Sequence, residues 1–462
     1  MSSHGGYLCF ALICMHYWTT PVSAQTLPDL WKRIATSEPS LLAAQAQARA
    51  TAERENQTFA QFLPQVSLTA NTTSNNRRYE TTGAFPNLSN DRYNSNGTQI
   101  NLTQPLWKKV NHVAHSQAQA ASEQSRLQLL ATQQDLLSKL VSYWAEAAYA
   151  KDALQAAIAI EVVANEQLTS YERGFSLGLY AITQRDEARA KQRQARADRF
   201  AAESELLTRR AILEQLVGKI PSLDNTLTIL ETQKIPYEGF KPLVAFTDAI
   251  NATNPNIRVA DQALVVAKEE VRKQQAQHGA TLDLVAGAGR NAQPSTGAIP
   301  SQSGFKSRLN TVALQLNVPI YSGGSQNSKV REALALAEKA EYEVDAAKRN
   351  ALSQATQAWA QLHSAQAKFE AAEQSLIAGQ SAERVALFGQ KTGTKTPLDE
   401  LQAKQQIETA RRDTRRACYD NLIGMAKLLA ASGAIEEATL EDIQQRLSLS
   451  PPVEEIKMRM KN

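Results

Sequence analysis

The sequence predicts a mainly α-helical chain that contains one structural unit twice, with a long helical hairpin and two β-strands in each copy. Three observations support this fold class. Similar segments recur along the 462 residues at a nearly constant spacing, long windows contain no proline, and short segments beside each window alternate polar with apolar residues. Proline-free windows favour helices, and period-two alternation favours strands.

The repeat spacing of about 215 residues extends through the whole chain. Gly178 corresponds to Gly393, 215 residues downstream, and Pro105 corresponds to Pro319, 214 residues downstream. Three further pairs keep this spacing to within one residue: Pro39 and Pro255, Ala118 and Ala333, and Ala188 and Ala403. Self-similarity at a fixed period indicates that one unit of structure is present twice.

The first 24 residues have the features of a signal peptide. An apolar run at 7–18 is followed by small residues at 22–24, which offer a cleavage site before residue 25. A buried N-terminal strand or a membrane anchor is the alternative, although the run is shorter than the ~20 residues that a spanning helix needs. Cleavage would leave Cys418 as the one cysteine, so no internal disulfide is expected.

Each repeat begins with a predicted helix of about 35 residues, Leu27–Phe62 in the first copy and Leu243–Gln277 in the second. Two alternating segments follow in the first copy, Gln65–Ser74 and Gly97–Leu106, each with one apolar and one polar face. Segments of about ten residues match the length of a tilted membrane-spanning strand.

The second copy alternates in the same way over 281–286 and 311–318. Between the two strands of each copy lie Asn75–Asn96 and Asn291–Arg308, which are rich in Asn, Ser, Gly and Pro. Such clusters are typical of loops, so both segments are predicted to be exposed surface loops.

Long helices are predicted after the strands, because no proline occurs within 108–219 or 321–395. A helix from about Lys108 to Arg173 would be about 100 Å long at ~1.5 Å per residue. Helices returning from it and from its counterpart are predicted at Thr183–Val217 and Pro397–Ala431. Helices of this length must pack along neighbours, as in a coiled coil.

The two glycine segments are predicted to be the tips of these helical hairpins. Gly178 and Gly393 permit backbone angles that other residues resist. Thr183 and Thr396 are placed to cap the returning helices, and Asp399 favours the positive start of the second one.

Four strands are too few to close a small membrane barrel, and open strand edges are not tolerated in lipid. A homotrimer would supply twelve strands, with apolar faces towards lipid and polar faces inside. Trp107 and Tyr321 are predicted at equivalent strand ends, where an interfacial aromatic belt would lie. The alternative is a non-channel coiled-coil scaffold with two soluble β-hairpins.

The doubled order of helix, strand pair, long helix, glycine tip and returning helix resembles the TolC family of outer-membrane efflux and secretion channels. The similarity covers 25–453 and is most specific at 175–190, 319–333 and 393–403. The resemblance implies a twelve-stranded barrel in the outer membrane of a Gram-negative bacterium and a helical tunnel through the periplasm. Expected partners are outer-membrane lipid, a periplasmic adaptor and an inner-membrane ABC or RND transporter.

The resemblance also defines the domain organisation and the docking surface. A signal peptide is expected at 1–24, the first repeat at 25–220, a mid-tunnel belt linker at 221–242, the second repeat at 243–432, and further belt and a loose tail at 433–462. The adaptor would dock on the hairpin tips, at Gly178, Leu179, Gly393, Thr394 and Thr396.

In the family, links between paired hairpins hold the inner end of the tunnel closed. By alignment these links would involve Thr183, Gln184, Asp186, Gln390 and Lys395. Gln184, Gln390 and Lys395 stand where the TolC pattern has aspartate, tyrosine and arginine, and Asp186 is the acid that could partly replace the lost aspartate. A less tightly closed gate is therefore expected.

An acidic constriction ring is expected beside these links. Asp399 matches one acidic position of the family pattern, Gln402 stands at the other, and Glu400 is the carboxylate that could turn inward. A trimer would then carry three ring carboxylates rather than six, unless Glu400 contributes.

Other site types find little support in the sequence. The 50 Lys and Arg residues nearly balance 46 Asp and Glu residues, so nucleic-acid binding is not expected. His112 and His115 are suitably spaced for a metal but have no third ligand nearby in sequence, and an exposed helix face is the preferred interpretation. Cys418 is predicted to be a packing residue. Neither enzymatic activity nor a cofactor is expected.

The expected function is an exit duct, with type I protein secretion ahead of solute or multidrug efflux. The sequence does not identify the cargo, and it leaves the choice between an ABC exporter and a proton-driven pump open.

Overall fold

The computed structural model describes residues 26–81, 87–219, 243–294 and 304–448. The predicted signal peptide, the predicted linker at 221–242 and the part of the predicted tail after residue 448 lie outside these residues. Within them, the predicted fold class is confirmed: two long helical hairpins alternate with two β-hairpins that form one four-stranded sheet.

The opening helix of each repeat is divided in two, so the prediction of single helices was wrong. The first copy has α1 at Leu27–Ser37 and α2 at Pro39–Phe59, followed by a 3₁₀ turn at Ala60–Phe62. Each break precedes a proline that becomes the first residue of the next helix, where its missing N–H costs nothing. The repeat alignment had matched these prolines without recognising the breaks.

The strands are longer than predicted. β1 runs Gln65–Thr81 and β2 runs Asn87–Lys108, so most of the predicted first loop is paired strand. Polar side chains support this extension, since the Thr72 hydroxyl donates to Asn96 at 2.7 Å and the Asn75 amide donates to Ser95 at 3.0 Å. A strand outside lipid does not need apolar residues on either face. The alternation of polar and apolar residues therefore predicted only the part of each strand next to the helices.

The sheet is antiparallel throughout, in the order β1-β2-β3-β4. In the second copy α5 is Val244–Thr253, α6 is Pro255–Ala276, β3 is Thr281–Gln293 and β4 is Phe305–Asn317. β3 and β4 therefore extend into the second predicted loop at both ends. β2 pairs with β3 and joins the repeats, whereas β1 and β4 are edges of the sheet.

Four long helices carry the chain away from the sheet. They are α3 at Lys109–Ser176, α4 at Ile182–Val217, α7 at Ser325–Lys391 and α8 at Pro397–Ala431. The 68 residues of α3 span about 100 Å at ~1.5 Å per residue, as the proline-free window predicted. None of the helices in the described ranges is long and apolar enough to cross a membrane.

The main hydrophobic core lies midway along the hairpins. Leu140 and Trp144 of α3 pack with Tyr419 of α8 and with α1, and the short helix α9, Glu437–Ser448, closes this core through Leu440. Burying each large apolar side chain contributes about 1.5–3 kcal/mol. The hairpins are thereby anchored at their middle, and their tips project from this anchor.

Candidate functional site at the two hairpin tips

Both hairpin tips use the same backbone device. Gly178 and Gly393 have φ of 74° and 72°, in the left-handed region that favours glycine. The N–H of Leu179 donates to the carbonyl of Gly174 at 2.8 Å, and the N–H of Thr394 donates to that of Gly389, also at 2.8 Å. These bonds satisfy a terminal helix carbonyl in each tip and turn the chain sharply.

Sequence analysis missed the second glycine of each tip. An added Cβ at Gly174 would lie 2.2 Å from the Tyr180 ring, and one at Gly389 would lie 2.5 Å from Cγ of Lys395. Each returning segment therefore crosses directly over the helix that precedes it. The shared spacing, a glycine four residues before the turn glycine in both copies, was a readable signal for this close approach.

In the first tip, the predicted cap at Thr183 was wrong. The helix α4 already begins at Ile182, and Gln184 accepts a hydrogen bond from the N–H of Ala181 at 2.9 Å. Thr183 lies one residue inside the helix, too late to accept a bond from the first free N–H groups. Gln184, a predicted gate link, is thus engaged within its own tip.

Asp186 of the first tip pairs with its neighbour Arg185 at 2.8 Å. The Arg185 guanidinium also lies over the Phe175 ring, 4.6 Å from its centroid. Both contacts stay inside one chain. They fix Arg185 against the tip and partly neutralise the acid that had been expected to replace the family's aspartate.

In the second tip, the predicted cap at Thr396 is confirmed. The Asp399 carboxylate accepts from the N–H and hydroxyl of Thr396 at 2.8 and 2.9 Å. Lys395 lies 3.6 Å from the same carboxylate. The hydrogen bonds from Thr396, followed by Lys395, lower the pKa of Asp399, so this carboxylate is charged at neutral pH.

The other predicted gate and ring residues are also placed by the described tips. Gln390 is exposed near the end of α7, and Gln402 is exposed on α8. Glu400 pairs with Lys404 at 2.7 Å and its side chain is only 16% exposed, so it is held along its own helix. A second ring carboxylate from Glu400 would require this pair to break.

The surfaces of the two tips differ in chemistry. The first tip exposes large apolar side chains at Leu177, Leu179 and Ile182, of which Leu179 is 71% exposed. The corresponding positions of the second tip carry Thr392 and Thr394, which are both exposed, and Pro397, the first residue of α8. The turn of the first tip is thus an apolar knob and the turn of the second tip a polar one, although Phe388, near the end of α7, is 70% exposed beside the second turn.

A buried charged cluster joins the two hairpins above the tips. Asp152 of α3 lies 3.4 Å from Arg415 of α8 and accepts a hydrogen bond from the Tyr419 hydroxyl at 3.3 Å. Desolvation raises the pKa of Asp152 to about 6, against the opposing effect of Arg415. A second pair, Glu146 with Arg416 at 3.2 Å, continues this α3–α8 seam.

The remaining candidate residues, His112, His115 and Cys418, make packing contacts within the chain. His112 and His115 pack against the Phe62 ring, with centroids 4.8 and 6.1 Å away, and no group of three metal-ligating side chains occurs among the described residues. Cys418 is buried with Phe369, and desolvation raises the pKa of its thiol to about 12. A thiol of this kind is a packing group rather than a nucleophile.

The predicted interfacial aromatics lie at the helix-proximal end of the sheet. Trp107 is 60% exposed within β2, next to an irregularity in its pairing with β3. Tyr321 is 86% exposed but lies four residues beyond the end of β4, so the two positions are not equivalent strand ends as predicted.

Comparison with known proteins identifies a family for this architecture. Residues 30–219 and 247–434 match the family model described as outer membrane efflux protein. The outer membrane protein TolC of Vibrio cholerae is 25% identical over 433 residues, covering 94% of this chain and 96% of TolC. The alkaline protease secretion protein AprF of Pseudomonas aeruginosa is 27% identical, covering 76% of this chain and 72% of AprF.

Solved structures show the same fold. The outer membrane protein VceC of Vibrio cholerae superposes with a TM-score of 0.70 at 19% identity, covering 88% of this chain and 96% of VceC. The outer-membrane channel OprN gives a TM-score of 0.72 at 18% identity, covering 88% of this chain and 90% of OprN.

Proposed function

The chain belongs to the outer membrane efflux protein family and is an exit duct of the outer membrane that extends through the periplasm, and we propose that it works as a homotrimer. The observation that carries the proposal is the four-stranded sheet with two open edges, β1 and β4. Unpaired edges are not tolerated in lipid, so the edges of neighbouring chains must pair. Three chains close a barrel of twelve strands, within the range known for such barrels.

The hairpins then form a tunnel whose inner end is built from the tips. Twelve long helices surround one passage, and a periplasmic adaptor docks on the tips and joins the tunnel to an inner-membrane transporter. The exposed tip glycines support this proposal, because an added Cβ at Gly178 or Gly393 meets no atom of the chain within 4 Å. The space over both turns is therefore open to a partner.

We infer protein secretion with an ABC exporter as the most specific activity. Two relatives are described as secretion proteins for proteases: AprF at 27% identity and PrtF of Dickeya chrysanthemi at 24%. Solute efflux is the second candidate, favoured by the family description and by the efflux protein BepC of Brucella suis, 26% identical over 269 residues.

A matched pair of substitutions tests the membrane barrel. Val312 lies on the apolar face of β4 and is 77% exposed, whereas its neighbour Thr311 lies on the polar face. Arginine on the lipid face costs about 2–4 kcal/mol at the bilayer midplane, and arginine in the lumen costs little. Val312→Arg is expected to deplete heat-resistant trimers from the outer-membrane fraction, and Thr311→Arg is expected to leave them in place.

A non-channel scaffold would behave differently in the same experiment. Salt alone would extract it from membranes, and the two arginine variants would fractionate alike. To separate the two cargo classes, the chain is expressed with an ABC exporter and adaptor or with a proton-driven pump and adaptor. Secretion of a protein substrate in the first strain supports protein export, and restored drug resistance in the second strain alone contradicts it.

A further inference from the structure

The four-stranded sheet has an apolar outer face that the strand register defines row by row. This outer face comprises the even-numbered positions of 66–78, 92–104, 282–292 and 306–316. One complete row across the four strands consists of Val66, Leu102, Ala286 and Val312. Neighbouring rows are two residues, or about 7 Å, apart along the strands.

The apolar rows end towards the β-hairpin ends. The row of Leu68, Ile100 and Ala288 already includes Asn310 on β4. The row after it contains Arg290 and Arg308, and the next row contains Lys306. Arg92 and Arg78 of the longer first hairpin lie on the same face but about 20 Å or more further along it. We call the three residues in the two rows next to the apolar ones the basic band: Arg290, Lys306 and Arg308. Every member is exposed.

The charges of the basic band are not balanced within the sheet. Arg290 lies directly opposite Arg308 in the β3–β4 register, and like charges in directly opposed positions destabilise a sheet. The outer-face positions defined above contain no Asp or Glu. None of the ion pairs among the described residues includes a member of the basic band. This arrangement favours the binding of an anion from outside the chain, because such an anion would offset the repulsion between the basic residues.

The position of the basic band identifies the source of that anion. The helices leave the opposite end of the sheet and enter the periplasm, so the hairpin ends face the outside of the cell. The basic band therefore lies where the apolar, lipid-facing rows give way to the headgroups of the outer leaflet. Guanidinium groups bind phosphate through two parallel hydrogen bonds, and a phosphate between Arg290 and Arg308 would relieve their repulsion.

We propose that the basic band is a binding site for the phosphate groups of an anionic lipid headgroup in the outer leaflet. The site follows from the outer-membrane location of the sheet. It is independent of the cargo and of the transporter partner. Its consequence is that such a lipid stabilises the assembled barrel, because it binds the folded sheet in the membrane and offsets the repulsion between Arg290 and Arg308 there.

The test is a titration of the full-length protein in phosphatidylcholine vesicles with lipid A, a phosphorylated glycolipid. The readout is the temperature at which heat-resistant trimers dissociate. Each basic residue near an anionic surface contributes about fivefold in affinity, so Arg290→Gln with Arg308→Gln is expected to raise the half-maximal lipid A content about 25-fold. Lys306→Gln, a milder variant at the edge, is expected to raise it about fivefold.

The matched control removes two charges far from the sheet. Lys348 and Arg349 are exposed on α7, and Lys348→Gln with Arg349→Gln is expected to leave the titration unchanged. A wild-type response to inorganic phosphate in vesicles without lipid A would overturn the assignment to lipid. Identical titrations of wild type and both outer-face variants would overturn the site itself. Retained export by those variants would leave the proposed duct function intact.

Discussion

The two hairpin tips have the same backbone conformation but expose different side chains. Each turns at a left-handed glycine and crosses over a second glycine four residues earlier. The first tip exposes Leu177 and Leu179, whereas the second exposes Thr392 and Thr394. The turn geometry therefore depends on glycines that are retained in both copies, and the exposed side chains are free to differ. A trimer would offer an adaptor three apolar and three polar knobs.

The largest expected effect comes from filling the space over either turn. Gly178→Val or Gly393→Val is expected to abolish export and to leave trimers in the membrane, because the new side chain occupies the adaptor's approach. Left-handed backbone costs a non-glycine residue about 1–2 kcal/mol, so Gly323→Val, with φ of 65° at the sheet–helix junction, is the control for strain. Unchanged export with either tip variant would contradict adaptor docking at the tips.

The chemical difference between the tips predicts unequal affinities for the adaptor. Leu177→Ser with Leu179→Ser is expected to weaken adaptor binding more than tenfold, since each buried leucine contributes about 1.5–3 kcal/mol. Thr392→Ser with Thr394→Ser keeps both hydroxyl groups and is expected to change binding little. Titration of the purified adaptor onto each variant measures the difference. Equal losses of affinity would show that the adaptor binds the two tips equally strongly.

The α3–α8 seam allows a test of whether the buried charge of Asp152 contributes to the contact between the two hairpins. The pKa of Asp152 is raised from 3.8 to about 6, so the folded state binds the proton more tightly than the unfolded state. Its contribution to the free energy of unfolding is therefore complete below about pH 4 and falls as the pH rises through 6, by up to about 3 kcal/mol.

Denaturant unfolding of the wild type and of Asp152→Asn at several pH values measures this contribution. The variant is expected to lose the fall in stability between pH 4 and 6, because its amide does not ionise. The same pH dependence in both proteins would place the responsible group elsewhere and would show that Asp152 does not couple the hairpins through its charge.

The smallest effect is expected from alanine substitutions of Gly174 and Gly389, the two glycines over which the returning segments cross. Gly174→Ala forces the new Cβ against the aromatic ring of Tyr180, and such overpacking costs about 1–3 kcal/mol. The Cβ of Gly389→Ala meets Cγ and Cβ of Lys395 at 2.5 and 2.8 Å and Oγ1 of Thr394 at 3.1 Å, a shallower overlap than that with the Tyr180 ring, and alanine favours the helix by up to about 1 kcal/mol. Amide hydrogen exchange is expected to become faster at both tips, and more so at the first. Equal exchange rates in the two variants would show that both tips accommodate the added methyl group equally well.

Much of this fold was predictable because its repeats are regular. The proline-free windows predicted the long helices to within three residues at the ends proposed for α3, and alternation predicted the lipid-facing parts of the strands. Alternation could not predict the outer part of the first β-hairpin, where both faces meet water and apolar residues are not required.

The candidate site was less predictable, for reasons that differ between residues. Thr396 was recognised as a cap because it directly precedes Pro397, which suits a first helical turn, and the structure adds a capping box with Asp399. The N-cap of α4 is Ala181, so nothing marked the helix start there, and Thr183 was chosen instead. Gln184, Lys395 and Asp399 use their polar groups within their own tips, and the gate links between hairpins stay predictions.

The most direct test of the duct with an inner gate at its tips is the ion selectivity of the purified protein in planar bilayers. Asp399 is charged and is the residue predicted to form the acidic constriction ring, so the wild type is expected to give discrete, cation-selective conductance steps that trivalent cations block. Asp399→Ala is expected to reduce both selectivity and block, and Gln402→Asp is expected to increase them by adding a carboxylate three residues along the helix. Absence of conductance steps would contradict the duct, and unchanged selectivity and block in Asp399→Ala would contradict a constriction at the tips.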